Sequence, residues 1–233
     1  KNLVPMVKAA KGEKGFRRIQ ADIISRPSYN SAKKAGLRLT GLGNKLTERE
    51  EAYMTTLLDK MPGVRASERA YTGFLAKLRM DMYDQFIKKA ELIGENTKSG
   101  SQVNKDIANV VNNFTGAGKL GNIDQATPIL NSLFFSPRKL AATIQKLNPR
   151  NYLNPKAGGK YVSKTARDEA LKSLLGMVGA STSVITLAKM AGAEIELNPI
   201  SSDFGKVQIG NTRFDVTGGD GNFAVLLARL FTG

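Results

Sequence analysis

Asp203, Arg213 and Asp215 are the polar set closest to a working constellation in this chain. Arg213 and Asp215 lie two apart, so on a strand both face one side. Asp203 precedes them in the same stretch, residues 201–219. An Arg–carboxylate network can bind an anion, orient a substrate or brace a fold. Catalysis would also require a base, a nucleophile and a pocket. The chain has no His and no Cys, which removes imidazole acid–base chemistry, thiolate nucleophiles and Cys/His zinc sites. The expected role of the three residues is therefore structural, holding a hairpin against the helices, and the expected activity is non-enzymatic. No catalytic residue, cofactor or metal ligand is assigned.

The other carboxylates have simple roles. Glu48, Glu50 and Glu51 complement a helix N-terminus. Asp81 and Asp84 fit the outer face of a long helix, paired with Lys77 and Lys88. Glu194 and Glu196 alternate on a strand and could meet a divalent ion with Asp203 or Asp215, but nothing demands it. The run Gly116-Ala117-Gly118-Lys119-Leu120-Gly121 resembles a phosphate loop only superficially. It lacks the spacing, the Ser or Thr after Lys and the preceding strand, and reads as an inter-helix turn.

Charge is the stronger signal. The chain has 233 residues and a net charge of +15. Residues 1–45 hold eleven Lys or Arg and two acids, and residues 119–172 hold ten and three. Residues 46–118 are neutral and residues 173–233 carry a net −1. Two basic blocks of this kind favour a polyanion. Lys8, Lys11, Lys14, Arg17 and Arg18 in the first arm and Lys33, Lys34 and Arg38 in the next loop are candidate nucleic-acid contacts. Arg138, Lys139, Lys146, Arg150, Lys156, Lys160 and Lys164 form the second group. Tyr29, Tyr152 and Tyr161 interleave with them and offer stacking surfaces. Such binding would be phosphate-led and independent of sequence. The bland alternative is a solubilising surface.

The elements that must position these groups are mostly helical. Phe16, Ile19 and Ile23 mark a short helix stopped by Pro27, and residues 30–35 add a turn or two closed by Gly36. Thr47-Glu48-Arg49-Glu50 is a capping box for a helix ending before Pro62-Gly63. Residues 68–93 form the most regular helix, with Tyr71, Phe74, Leu75, Leu78, Met82, Phe86, Ala90 and Ile93 on its apolar side and Gly94 as its terminator. Residues 103–114 repeat the pattern. Pro128 and Pro137 sit at N1 of two further helices, residues 128–135 and 137–147. Residues 152–163 read as a basic loop.

Residues 165–191 are the most apolar segment. Residues 173–188 carry no charge but hold five hydroxyl side chains, and a buried core helix is favoured over a membrane span. Gly176, Gly179 and Ala180 make a small-residue face suited to close helix approach, within the fold or at an interface. Residues 194–197 alternate as a short strand. Two further strands flank Gly210-Asn211, a pair suited to a type I′ or II′ turn. Gly218-Gly219 closes that stretch, and residues 225–231 form a last amphipathic helix.

The expected fold is mainly α, about seven helices with a small β-hairpin near the C-terminus. The expected parts are a basic arm with a short helix (1–45), a helical bundle (46–150), a basic linker (151–164), and an apolar helix with the hairpin and final helix (165–233). Both chain ends look cut from a longer polypeptide.

Three stretches carry a family likeness: Ala66-Ser67-Glu68-Arg69-Ala70-Tyr71, the run from Leu130 through Phe134-Phe135-Ser136-Pro137-Arg138, and Ser202-Asp203-Phe204-Gly205-Lys206 with Gly210-Asn211-Thr212-Arg213-Phe214-Asp215 and Gly218-Gly219. Together they resemble a domain found toward the C-terminal end of the large polyvalent proteins of tailed bacteriophages, over about residues 24–233. After Gly218-Gly219 the chain has Asp220-Gly221-Asn222 where the family pattern has bulkier residues. The resemblance implies a phage origin and a virion-associated, internal or ejection-type protein delivered with the genome. It implies partners among other virion proteins, self-association and possible DNA contact, with membrane contact less favoured, and it implies no reaction. The alternative is a sequence-independent nucleic-acid-binding module of a phage polyprotein used in the infected cell.

Overall fold

A computed structural model describes residues 4, 7, 12–39, 64–119, 137–198 and 201–217. Among them the chain is mainly helical, with a small antiparallel sheet near the C-terminus. The helices are α1 (Glu13–Ile24), α2 (Tyr29–Lys34), α3 (Val64–Leu92), α4 (Gln102–Phe114), α5 (Pro137–Leu147) and α6 (Lys164–Met190). The strands are β1 (Glu194–Ile195), β2 (Lys206–Ile209) and β3 (Thr212–Asp215). The expected helices at 48–60, 128–135 and 225–231 lie outside the described residues. The chain divides into two compact units, Lys1–Ala170 and Leu171–Gly233.

The first unit is built on α4. Ser101 caps it by accepting from the Asn104 amide at 3.3 Å. Val103, Ile107, Val110 and Val111 are buried as their spacing requires, but so are Asn104, Asp106, Asn112 and Asn113. α4 is therefore enclosed on more than its apolar side. Gly116 terminates it with φ +75, and the Ala117 amide reaches back to the Asn112 carbonyl at 2.8 Å. Gly94 ends α3 in the same way, with the Glu95 amide donating to the Ala90 carbonyl at 2.9 Å. At Gly118 a Cβ would lie 2.4 Å from the Ala142 backbone nitrogen, so only glycine lets this turn approach α5.

α3 starts four residues earlier than expected; Phe86 and Ala90 of its predicted stripe are buried, but before them the buried side is rotated by about one residue. Ala76, Met80, Tyr83, Phe86 and Ala90 are buried, whereas Tyr71 is exposed and Phe74, Leu75, Leu78 and Met82 are half-buried. α1 and α4 both pack on this helix, and alanines on the contact side let them come close. Asp81 and Asp84 are a second correction. They do not sit on an outer face with Lys88, but receive Arg26 from the turn after α1, at 2.8 and 2.9 Å. Lys77 does pair with Asp81, at 3.3 Å.

Residues 152–163 fold into the first unit. Pro149–Asn151 and Pro155–Ala157 form 3-10 turns, and Tyr161 and Ser163 are buried in or beside the core.

In the second unit the three strands lie in the order β1-β2-β3, all antiparallel. Val207 pairs with Phe214 and Gln208 with Arg213. Gly210 has φ +60, and no non-glycine residue among the described residues has positive φ, which selects the type II′ turn over I′.

Candidate interaction surfaces

The start of α6 is fastened by carboxylates. Ser163 is its N-cap, accepting from the Ala166 amide at 3.0 Å. The Glu95 carboxylate accepts from the Lys164 amide at 2.6 Å, the Thr165 amide at 3.3 Å and the Ser163 hydroxyl at 3.0 Å. Asp106, buried on α4, accepts from the Val162 and Ser163 amides at 2.7 and 3.0 Å. Negative charge at a helix N-terminus is favourable, and these groups also satisfy its orphan donors. Lys89 adds an ion pair to Glu169 at 2.8 Å.

Beyond this anchor α6 changes character. Its buried residues are Thr165, Ala166, Glu169 and Ala170, all in the first two turns. From residue 171 onward Leu171, Leu175, Val178, Val184, Leu187 and Met190 are exposed, Leu187 at 65% and Met190 at 80%. The expectation of a buried core helix is thus overturned within this chain. By length and composition α6 could cross a membrane, and of its most apolar 18-residue window only 6% is buried. Gly176, Gly179 and Ala180 are exposed, and a Cβ at either glycine would meet nothing within 4 Å. The small-residue face packs on no neighbour there.

The basic candidates are partly gathered and partly scattered. Lys8 and Lys11 lie outside the described residues. Lys14, Arg17 and Arg18 are exposed on α1, with Arg17 paired to Glu13 at 2.6 Å. Lys33 and Lys34 are exposed at the end of α2, and the Lys34 stem lies against Gly100. Arg38 is half-buried, its amide donating to Asn112 Oδ1 at 3.0 Å and its carbonyl accepting from Arg79 at 3.1 Å. Arg138 and Lys146 are half-buried on α5, and Lys139 is exposed. Lys156 is exposed, and Lys164 is exposed and paired with Asp168 at 2.7 Å.

A smaller group does converge. Lys160 feels Lys119 and Arg150 as like charges. Burial of its stem first, then those two cations, pull its pKa below the ordinary lysine value, against the opposing pull of Asp106. The Lys119 ammonium also reaches the turn at Gly36, where a Cβ would lie 3.8 Å from it. Lys119 thus lies beside the turn that closes α2. Tyr152 and Tyr161 are held as core phenols. Burial pushes the Tyr152 phenol up to about 12, and burial with the charge of Asp106 raises Tyr161 as well. Tyr161 is 1% exposed and offers no stacking face. Tyr29 is half-buried against the core.

The Asp203 network exists but braces a different joint. Asp203 takes Lys206 at 2.9 Å and the Arg213 guanidinium, whose Nε also donates to Gln208 at 3.2 Å. Those two cations hold the Asp203 carboxyl below the usual carboxylate range. Asp215 accepts from the Thr217 amide at 2.8 Å. These bonds tie the loop before β2 to the hairpin itself, not the hairpin to a helix. Asn211 is exposed in the turn, and Gly218 and Gly219 lie outside the described residues. No group of three or more His, Cys, Asp or Glu able to hold a metal occurs among the described residues.

Sequence reasoning passed over the polar side chains that position all this. Arg26, Arg79, Glu95, Asn104, Asp106, Asn112 and Asn113 were unassigned. One signal was available: a 13-residue helix with three Asn and an Asp among its apolar positions has more polarity than an exposed face explains. No family model, no curated protein and no solved structure matches the chain.

Proposed function

We propose that this chain is a non-enzymatic, virion-associated region of a tailed-bacteriophage protein, of the internal or ejection type, working by surface contact and delivered with the genome. The observation that carries the association part is α6. A helix with Leu171, Leu175, Val178, Val184, Leu187 and Met190 exposed presents an apolar surface suited to a contact outside its own chain. The phage assignment rests on the residue patterns at 66–71, 130–138 and 201–219. In this reading the partners of the second unit are other virion proteins or further copies of the chain.

Peptides from this chain in purified, nuclease-treated particles of the encoding phage are the expected result by mass spectrometry. Particles free of them would end the virion reading. Paired charge substitutions on the exposed helix, Leu175→Lys with Leu187→Lys, should lower incorporation while leaving the first unit folded.

One observation favours a nucleic-acid role beside it. Lys119, Arg150 and Lys160 of the second basic block lie close enough to feel one another's charge, and Lys119 also lies beside Gly36. Binding there would be sequence-independent and would weaken steeply with salt. A gel shift at low salt tests it. Unchanged mobility, or a shift untouched by Arg150→Ala with Lys160→Ala, would remove DNA from the partners.

A further inference from the structure

We infer that residues 171–190 insert into a lipid bilayer bearing anionic headgroups, rather than docking on a protein. The inference deepens the proposed function and rests on its reading of α6 as the working surface. Four observations converge on it.

The exposed apolar residues do not form a stripe. At about 100° per residue, Leu171, Leu175, Val178, Val184, Leu187 and Met190 cover about two thirds of the circumference, and the apolar Leu174, Met177 and Ile185 on the remaining side are half-buried. A protein partner rewards one apolar side, whereas hydrocarbon rewards all of them. Two of the five hydroxyls inside the segment are bonded within the helix. The Ser183 hydroxyl donates to the Gly179 carbonyl and the Thr186 hydroxyl to the Thr182 carbonyl, both at 2.8 Å. Hydrocarbon supplies no water to such groups, so bonding them inside the helix lowers the cost of insertion.

The dimensions fit as well. Residues 173–188 carry no charge and rise about 24 Å, against a hydrocarbon layer of about 30 Å. Lys172 and Lys189 bracket this run, and lysine stems are long enough to carry their ammonium groups outward to the headgroups. Finally, the chain's positive charge lies before the helix, since residues 173–233 are net −1 in a chain of +15. Anionic headgroups attract a basic flank of this kind.

The absence of Trp from the chain gives a clean test. The 233-residue chain carrying Leu175→Trp is mixed with vesicles of phosphatidylcholine and phosphatidylglycerol in equal parts, or of phosphatidylcholine alone. Insertion predicts co-flotation that survives molar salt, a blue-shifted emission and quenching by bromine on the acyl chains. Val178→Lys, at an exposed position, should weaken partitioning about a hundredfold with unchanged far-UV circular dichroism. Failure to float overturns the inference. So does flotation abolished by high salt, which would mean headgroup attachment by the basic residues alone. A concentration-dependent dimer whose Trp emission shifts blue without vesicles, with no flotation, also overturns it while leaving α6 as an association surface. Absence of the chain from virions would remove the phage reading without touching insertion.

Discussion

Asn104, Asp106, Asn112 and Asn113 in the first unit are each at most 2% exposed, while Leu175, Leu187 and Met190 in the second are at least 61% exposed. Burial in this chain does not follow hydropathy, and the reason differs on each side. In the first unit irregular backbone runs beside the core and must be paired. Asn112 imitates a peptide group, donating to the Gly36 carbonyl at 2.8 Å while accepting from the Arg38 amide. Asn113 reaches the Tyr161 hydroxyl at 3.3 Å, and Arg79 donates to the Thr115 hydroxyl and to the Arg38 and Thr115 carbonyls. In the second unit α6 satisfies its own backbone, and Leu175, Leu187 and Met190 can stand exposed without leaving a peptide group unpaired.

One of the two largest expected effects attacks the polar side of that contrast. Asp106→Ala leaves the amides of Val162 and Ser163 without their acceptor and removes the partner of the Gln102 amide. Leaving the buried Ser163 amide and the part-buried Val162 amide unpaired costs roughly 1–3 kcal/mol. Urea denaturation followed by circular dichroism measures this. A loss below about 1 kcal/mol would mean that water reaches these amides and that the first unit is not pinned through Asp106.

The apolar side is probed by a matched pair. Ile107 is fully buried and Leu187 is 65% exposed. Ile107→Ala should cost about 2–5 kcal/mol, and Leu187→Ala at most about 0.5 kcal/mol in the isolated chain. Comparable losses at the two positions would show that α6 is covered in solution, by a second copy or by its own chain.

How much of this was readable beforehand depends on the kind of signal. Helix ends with a glycine terminator or a proline start were legible, because Gly94, Gly116 and Pro137 act through their own backbone chemistry. The hairpin was legible for the same reason at Gly210. The buried side of α3 was not, because larger apolar residues drew attention from the alanines that admit neighbouring helices. The roles of Asp106 and Glu95 were also hidden. Their partners are amides 56 to 70 residues away, and local sequence carries no mark of such a meeting. Arg26 shows the same limit. Burial opposes its charge, but the hydrogen bonds it donates to Asp22, Asp81 and Asp84 outweigh that and keep its pKa above the ordinary arginine value.

Alkaline pH should loosen the first unit selectively. Tyr152 and Tyr161 have folded-state values above the ordinary 10.0, Tyr152 at about 12. Their contribution is therefore complete below about pH 10 and is lost as pH rises through the folded values. Ultraviolet titration should show these two phenols, and the buried Tyr83 with them, ionising late, together with loss of the first unit's tertiary signal. Simultaneous ionisation of all six tyrosines in the folded chain would contradict their burial.

The smallest effect has the most informative sign. Gly176 and Gly179 lie inside α6, neither has a positive φ, and a Cβ at either would meet nothing within 4 Å. Alanine is the better helix former by about 1 kcal/mol. If the small-residue face stays open, Gly176→Ala and Gly179→Ala should each stabilise the chain by up to that amount. If the face closes on a second helix, the added methyl groups would crowd the contact and the sign would reverse. Thermal unfolding at two protein concentrations separates the cases, since an assembled state ties stability to concentration and an open one does not. Gly210→Ala is the internal control. With φ +60 at Gly210, alanine should destabilise the hairpin whether or not α6 is covered, and a stabilising result there would disprove the II′ turn.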